Sequence, residues 1–349
     1  MVTSEPAATA DAEPRFPWPP GSATGVGSFP GTDPAEALRT VLGEVPDLAF
    51  LPELPARGPG AELIGRGATF LVDLPVQLAP SGWRFADRPG RDLRRSQDLL
   101  ERDLDALSDA AEGYEGVLKI QSAGPWTLAA GIELPHGEKS LSDHGAVADL
   151  AGSLAEGLAA HVAQIRGRVP GARVLLQLDE PSLPAVLAAR VRTASGLRTL
   201  RGVEESVATQ TLARVIDAAG VPVVVHSCAR DVPLELLRAA GAAGVSVDLS
   251  LWDLTSARDL DALGEYLDAG GALFAGVLPA VDGGLPDAGR VAEPVRRLWQ
   301  HLGLPAEHLR QQVVLTPACG LAGAGEDYAR DVLALLRDGA RKLSEDPEG

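Results

Sequence analysis

The chain has 349 residues, 45% of them hydrophobic, with a formal net charge of −17 and a sequence pI of about 4.8. Its length and apolar share allow a sizeable core, and an α/β barrel of this size commonly forms one domain. The acidic balance argues against nucleic acid or an anionic membrane surface as partner, no apolar run is long enough to span a membrane, and two distant cysteines give no disulfide framework and suit a reducing cytosol.

Met1 to Pro20 is rich in Ala, Pro and acidic residues and lacks the basic start and apolar centre of a signal peptide. It reads as a disordered tail. A single domain is expected over 21–343, with 344–349 fraying. Ala23 to Phe29 reads as a short strand, and Asp33-Pro34 is an N-cap and N1 pair for a helix to Glu44. Leu48 to Leu51 is a second strand candidate, ending in Pro52-Glu53-Leu54-Pro55. Ala61 to Arg66 reads as helical and Thr69 to Leu74 as a strand. Pro80 to Arg95, with Trp83, Phe85 and several Arg, reads as a loop that fits either a lid or a solvated connection. A helix with apolar residues at helical spacing runs from Leu93 to Gly113.

Val117 to Gln121 is a strand, Ala146 to Val169 a long helix, and Arg173 to Leu178 a strand ending in Asp179-Glu180-Pro181. Two carboxylates at such a point are candidates for function, although Glu180 equally suits a cap on the helix that follows. Val203 to Ala219 is a helix, and Val223-Val224-Val225 a buried strand ending in His226-Ser227-Cys228. Val245 to Leu249 is a strand with Asp248 near its end, Ala272 to Leu278 another, and Val313 to Thr316 the last before Cys319. Helices over Val232–Ala240, Leu260–Ala269, Val291–Leu302 and Glu326–Leu343 complete the alternation.

Short apolar strands alternating with amphipathic helices predict a parallel sheet, here a (β/α)8 TIM barrel. Nine strand candidates overshoot the eightfold closure, so either Leu48 or Leu71 must lie outside the barrel. Both cysteines and one of the six histidines fall at strand C-termini, where such a barrel places its chemistry. His226, Cys228 and Cys319 are the donor types of a thiolate-rich zinc site. The His-x-Cys spacing is not a closed zinc-finger pattern, and taken alone it leaves two inert buried cysteines and a core histidine open.

Four segments together resemble the cobalamin-independent methionine synthase family. They are Thr24-Gly25-Val26-Gly27-Ser28-Phe29-Pro30, Gln177-Leu178-Asp179-Glu180-Pro181, His226-Ser227-Cys228 and Pro317-Ala318-Cys319-Gly320-Leu321, in family order. The resemblance covers residues 20 to 343 and only the catalytic C-terminal barrel of the two-barrel form. It implies a Zn2+ site made of His226, Cys228, Cys319 and a fourth carboxylate, for which Asp248 stands where the family has Glu. It further implies that Ser28, Glu53 and Asp179 hold the amino acid part of homocysteine. Zinc would then strip the proton from the substrate thiol and hold the thiolate for methyl transfer.

Two departures bear on the methyl donor. The family's proton-donating histidine is missing from Gly276-Val277-Leu278-Pro279-Ala280-Val281-Asp282, and Ala185 stands where the family has a carboxylate toward the folate. The donor implied is therefore either methyltetrahydrofolate or a methylcorrinoid, whose departure needs no acid. Two other readings compete: a zinc alkyltransferase acting on another small thiol, and an idle zinc- or methionine-binding barrel.

Overall fold

The computed structural model describes residues 16–253 and 255–347. Among the described residues nine strands lie in chain order: β1 Leu48–Phe50, β2 Val76–Ala79, β3 Gly82–Phe85, β4 Val117–Ala123, β5 Arg173–Asp179, β6 Val223–Ser227, β7 Gly244–Asp248, β8 Ala272–Leu278 and β9 Val313–Pro317. Seven of them form one parallel sheet in the order β1-β4-β5-β6-β7-β8-β9. The eighth stave is Ser22 to Phe29. Its Thr24 N–H donates to the Leu315 carbonyl at 3.0 Å on β9, and its Phe29 N–H donates to the Glu53 carbonyl at 2.8 Å just past β1. The sheet edges are thereby bridged, and the architecture is the (β/α)8 barrel.

Of the two doubtful strands, Leu48 belongs to the barrel and Leu71 does not. Ala68–Phe70 forms a 3-10 turn instead, and the Gly157 helix lies so close that a Cβ there would sit 1.6 Å from the Phe70 carbonyl oxygen. The Pro80 to Arg95 stretch is not a loop throughout: it holds β3 and the start of the helix Arg91–Ala110. β2 and β3 pair antiparallel, with Trp83 buried and its indole N–H donating to Glu62. Three short helices, Pro125–Gly131, Leu183–Leu187 and Ala306–Gln312, went unread in the sequence because each is under two turns long.

The inward residues of a barrel strand alternate with outward ones. At the N-terminal end the inward layer is Leu48, Val117, Leu175, Val224, Phe274 and Val314, all fully buried. Phe16 and Trp18 close this end from below. Their rings stack at 4.9 Å, and Trp18 meets Phe274 edge-on at 5.0 Å. Within the stretch expected to be a tail, Phe16 and Trp18 are buried at 7% and 4% exposure, because two aromatic rings there cover the open bottom of the apolar layer. Met1–Arg15 lie outside the described residues. At the other terminus the closing helix Glu326–Glu345 runs through Ser344 and Glu345, two residues into the segment expected to fray. Among the described residues no helix is long and apolar enough to cross a membrane.

Candidate metal and amino acid site

Two residues above the apolar layer the same strands turn polar. Asp179, His226 and Ser246 form one row across β5, β6 and β7, each opposite the next in the parallel register. His226 is 3% exposed, and its Nδ1 lies 2.9 Å from Ser246 Oγ. That bond fixes the ring, and Nε2 is left buried without a hydrogen-bond partner among the described residues. Cys228 follows just past β6 and Cys319 just past β9, their sulfurs 3.4 Å apart. The donor atoms of His226, Cys228 and Cys319 all lie within 4.8 Å of one another.

The Cys319 thiol donates toward the Cys228 sulfur. The contact with Cys319 lowers the Cys228 pKa to about 7, and the same contact pushes Cys319 up. The donor set fits a zinc ion. A tetrahedral zinc with bonds of about 2.0–2.3 Å holds its ligands roughly 3.5 Å apart, close to the observed sulfur separation. The orphaned imidazole nitrogen is what such an ion would satisfy.

Asp248 is not part of this group. Its Oδ1 accepts from the Ser250 N–H at 2.9 Å and caps the turn Leu249–Leu251, and the three-residue cluster forms without it. The expectation of Asp248 as fourth ligand is tested by the zinc affinity of Asp248→Ala. A side chain one methylene shorter than Glu is engaged by the backbone two residues on.

The amino acid residues stand around the same mouth. Ser28 lies at the end of the eighth stave, its carbonyl accepting from Leu321 N–H at 2.7 Å. A Cβ on Gly320 would fall 1.9 Å from Ser28 Oγ, so only glycine beside Cys319 lets Ser28 approach. Glu53 is bridged to Ser28 through the backbone and is 5% exposed. Its Oε1 is 3.2 Å from Arg66 Nε. Arg66 is itself locked by Asp103 at 2.6 Å, and Asp103 by Arg57 at 2.7 Å. Burial raises the Glu53 pKa to about 7 against the pull of Arg66. Burial likewise raises Asp179, whose Oδ1 accepts from Gln177 Nε2 at 2.6 Å.

Glu180 has a structural part. Its carboxylate accepts from the Trp126 N–H at 2.9 Å and from the Thr127 N–H and hydroxyl, each at 2.8 Å. It caps the helix Pro125–Gly131, which precedes it in the chain, and not the helix that follows. The sequence reading missed Arg66, Ser246 and Lys119. Lys119 offered a signal, being one of three lysines in the chain and sitting in mid-strand on the inward face.

The fold and the imidazole–dithiol cluster define a barrel whose C-terminal mouth could hold a metal ion. The family model described as "Cobalamin-independent synthase, Catalytic domain" matches residues 117–342, and the chain belongs to that family, one of methionine synthase catalytic domains. A solved B12-independent methionine synthase from Shewanella sp. W3-18-1, in complex with selenomethionine, is similar over 94% of this chain and 99% of that one, with TM-score 0.61 and 12% identity. A GH138 enzyme targeting pectin rhamnogalacturonan II is similar over 93% of this chain and 37% of its own, at TM-score 0.47 and 10% identity. The first likeness speaks for the fold alone, and the second carries no argument. No curated protein matches.

Proposed function

We propose that the protein is a zinc-dependent S-methyltransferase that forms methionine from homocysteine. The observation that carries this is the convergence of His226, Cys228 and Cys319 within 4.8 Å at the same barrel mouth as Ser28, Glu53 and Asp179. The selenomethionine held by the Shewanella protein, an analogue of the product, supports the same reading.

When bound, zinc supplies a Lewis acid that keeps a substrate thiol deprotonated at neutral pH. The chain does the rest. Ser246 orients His226 so that Nε2 faces the cluster. Glu53 and Asp179 present carboxylates to the substrate ammonium in a buried setting, where a charge needs a partner. In this reading Ser28, close against Gly320, receives the amino acid's carboxylate end. Held this way, the substrate sulfur meets the donor methyl in line, and positioning contributes much of the rate. The sulfur's electron pair forms the new S–CH3 bond, and the donor leaves with the pair from the broken one.

That departure separates the donors. β8 ends at Leu278 and is followed by Pro279-Ala280-Val281, while Ala185 sits in the helix Leu183–Leu187. A folate amine needs a nearby acid as it leaves, and a corrinoid does not. Methyl transfer is therefore expected to be faster from a methylcorrinoid than from methyltetrahydrofolate. Initial rates with both donors at saturating homocysteine test this. Turnover with neither donor would overturn the methyltransferase reading, and equal or faster turnover with the folate would overturn the donor assignment.

A further inference from the structure

Lys119 lies on β4 in the barrel interior with no exposed surface. Its Nζ donates to the Val26 carbonyl at 2.7 Å and to Gln121 Oε1 at 3.2 Å, and sits 5.5 Å above the Phe50 ring. The charged groups facing it are Glu53, beyond β1, and Asp179, on β5. One glutamine stands between the lysine and each carboxylate. Gln121 bonds to Glu53. Gln177 Nε2 donates both to Asp179 Oδ1 at 2.6 Å and to the Val26 carbonyl that Lys119 also holds, at 2.8 Å. Burial lowers the lysine's pKa to about 7, while Asp179 and Glu53 pull it back up.

Glu53, Asp103, Asp179 and Glu180 are the carboxylates of this group, and Arg57, Arg66 and Lys119 its cations. Arg57 and Arg66 are committed to Asp103 and Glu53, and Glu180 to the backbone of the helix Pro125–Gly131. The basic side chains that act on Asp179 are His226, which belongs to the metal cluster, and Lys119. A charge goes unscreened in a buried pocket, so a lysine cation fixed beside Glu53 and Asp179 disfavours a ligand that carries only an ammonium.

We propose that Lys119 is the positioning residue that makes this pocket select a zwitterionic α-amino acid over the same molecule with its carboxylate blocked. The inference rests on the amino acid reading above and deepens it. Without Lys119 the pocket keeps an uncompensated negative charge, and a ligand bearing only an ammonium becomes the better match.

The test uses the zinc-loaded full-length protein and calorimetric titration with methionine and with methioninamide. At about pH 6.5 the α-amino groups are protonated, so the two probes differ by one charge. The wild type is expected to bind methionine at least ~10-fold more tightly, and Lys119→Met to shrink that ratio by ~10-fold or more. Lys119→Arg, which retains the charge, keeps the wild-type preference. A lysine serving packing alone would change both affinities together and leave their ratio intact. An unchanged ratio in Lys119→Met, with methionine still bound by the wild type, overturns the inference and leaves the amino acid reading standing. Should Lys119→Met fail to fold, the wild-type ratio and Lys119→Arg decide: a wild type preferring methioninamide, or an arginine variant losing the preference, overturns it. A wild type that binds neither probe overturns the amino acid reading and the inference with it.

Discussion

The two ends of the barrel interior are built from the same strands and differ in everything else. Leu48, Val117, Leu175, Val224, Phe274 and Val314 close the lower end under a lid of Phe16 and Trp18. Two positions further along, β4, β5 and β6 carry Lys119, Gln177 and His226. One strand period thus separates a layer that only packs from a layer of buried charge. The lower layer gains free energy from every apolar atom removed from water. The upper one buries Lys119, Glu53, Asp179 and Glu180, each with its pKa displaced by desolvation. The upper end is therefore a liability to stability that makes sense as a preorganised site, and the lower end offsets it.

The sharpest way to break this contrast is to attack each end separately. Trp18→Ala should cost about 3–5 kcal/mol of unfolding free energy, as large core truncations do, with metal stoichiometry unchanged. Urea denaturation and elemental analysis read the two quantities. A loss under about 1 kcal/mol would mean that the aromatic lid is not part of the core. Cys228→Ser and Cys319→Ser should do the reverse. Each should lose most of the zinc while the metal-free protein unfolds within about 1 kcal/mol of wild type, since both cysteines are only partly buried. Full zinc retention in either variant would show the site to be misassigned.

Smaller effects rank the groups around the cluster. Ser246→Ala removes the partner that orients His226 and should weaken zinc by about 10-fold, the lower end for loss of a ligand's hydrogen-bond partner. Asp248→Ala should change zinc affinity less than that, because its carboxylate is engaged by Ser250. Competition with a chelator ranks the two, and the reverse order would restore Asp248 as a ligand. A further test is one of pH. Glu53 and Glu180 have folded-state pKa values raised from 4.5 to about 7. The folded protein then binds more protons than the unfolded one between these values, so these two groups make stability fall as pH rises from about 4.5 to 7 and then level off. Glu180→Gln should make that slope shallower in a series of urea midpoints. A slope unaltered by the substitution would show that Glu180 ionises normally.

Much of this was legible in the sequence, and the reasons are local. The β-branched runs at Val223–Val225 and Val313–Val314 marked buried strands, and placed His226, Cys228 and Cys319 at strand ends. Asp33-Pro34 marked its helix correctly, Asp33 accepting from the Ala35 N–H at 2.9 Å. What stayed hidden depends on which side of a strand faces in. Lys119 lies in the apolar-looking run Val117-Leu118-Lys119-Ile120-Gln121, and only barrel closure shows that Val117, Lys119 and Gln121 share the interior while Leu118 and Ile120 face the helices. Arg66 was equally hidden, because its partners Glu53 and Asp103 are brought together only by tertiary packing. Phe16 and Trp18 were lost in a stretch whose Pro and acidic content resembles a tail, although two aromatic residues in it should have weighed against that. Position at a strand end likewise says nothing of what a short carboxylate such as Asp248 caps.

The central claim is that His226, Cys228 and Cys319 form a zinc centre that takes the homocysteine thiol. X-ray absorption on the zinc-loaded protein, before and after homocysteine, tests it most directly. The account predicts two zinc–sulfur bonds in the free protein and three with homocysteine bound. A sulfur count unchanged by homocysteine, or a protein that takes up no zinc, would contradict it.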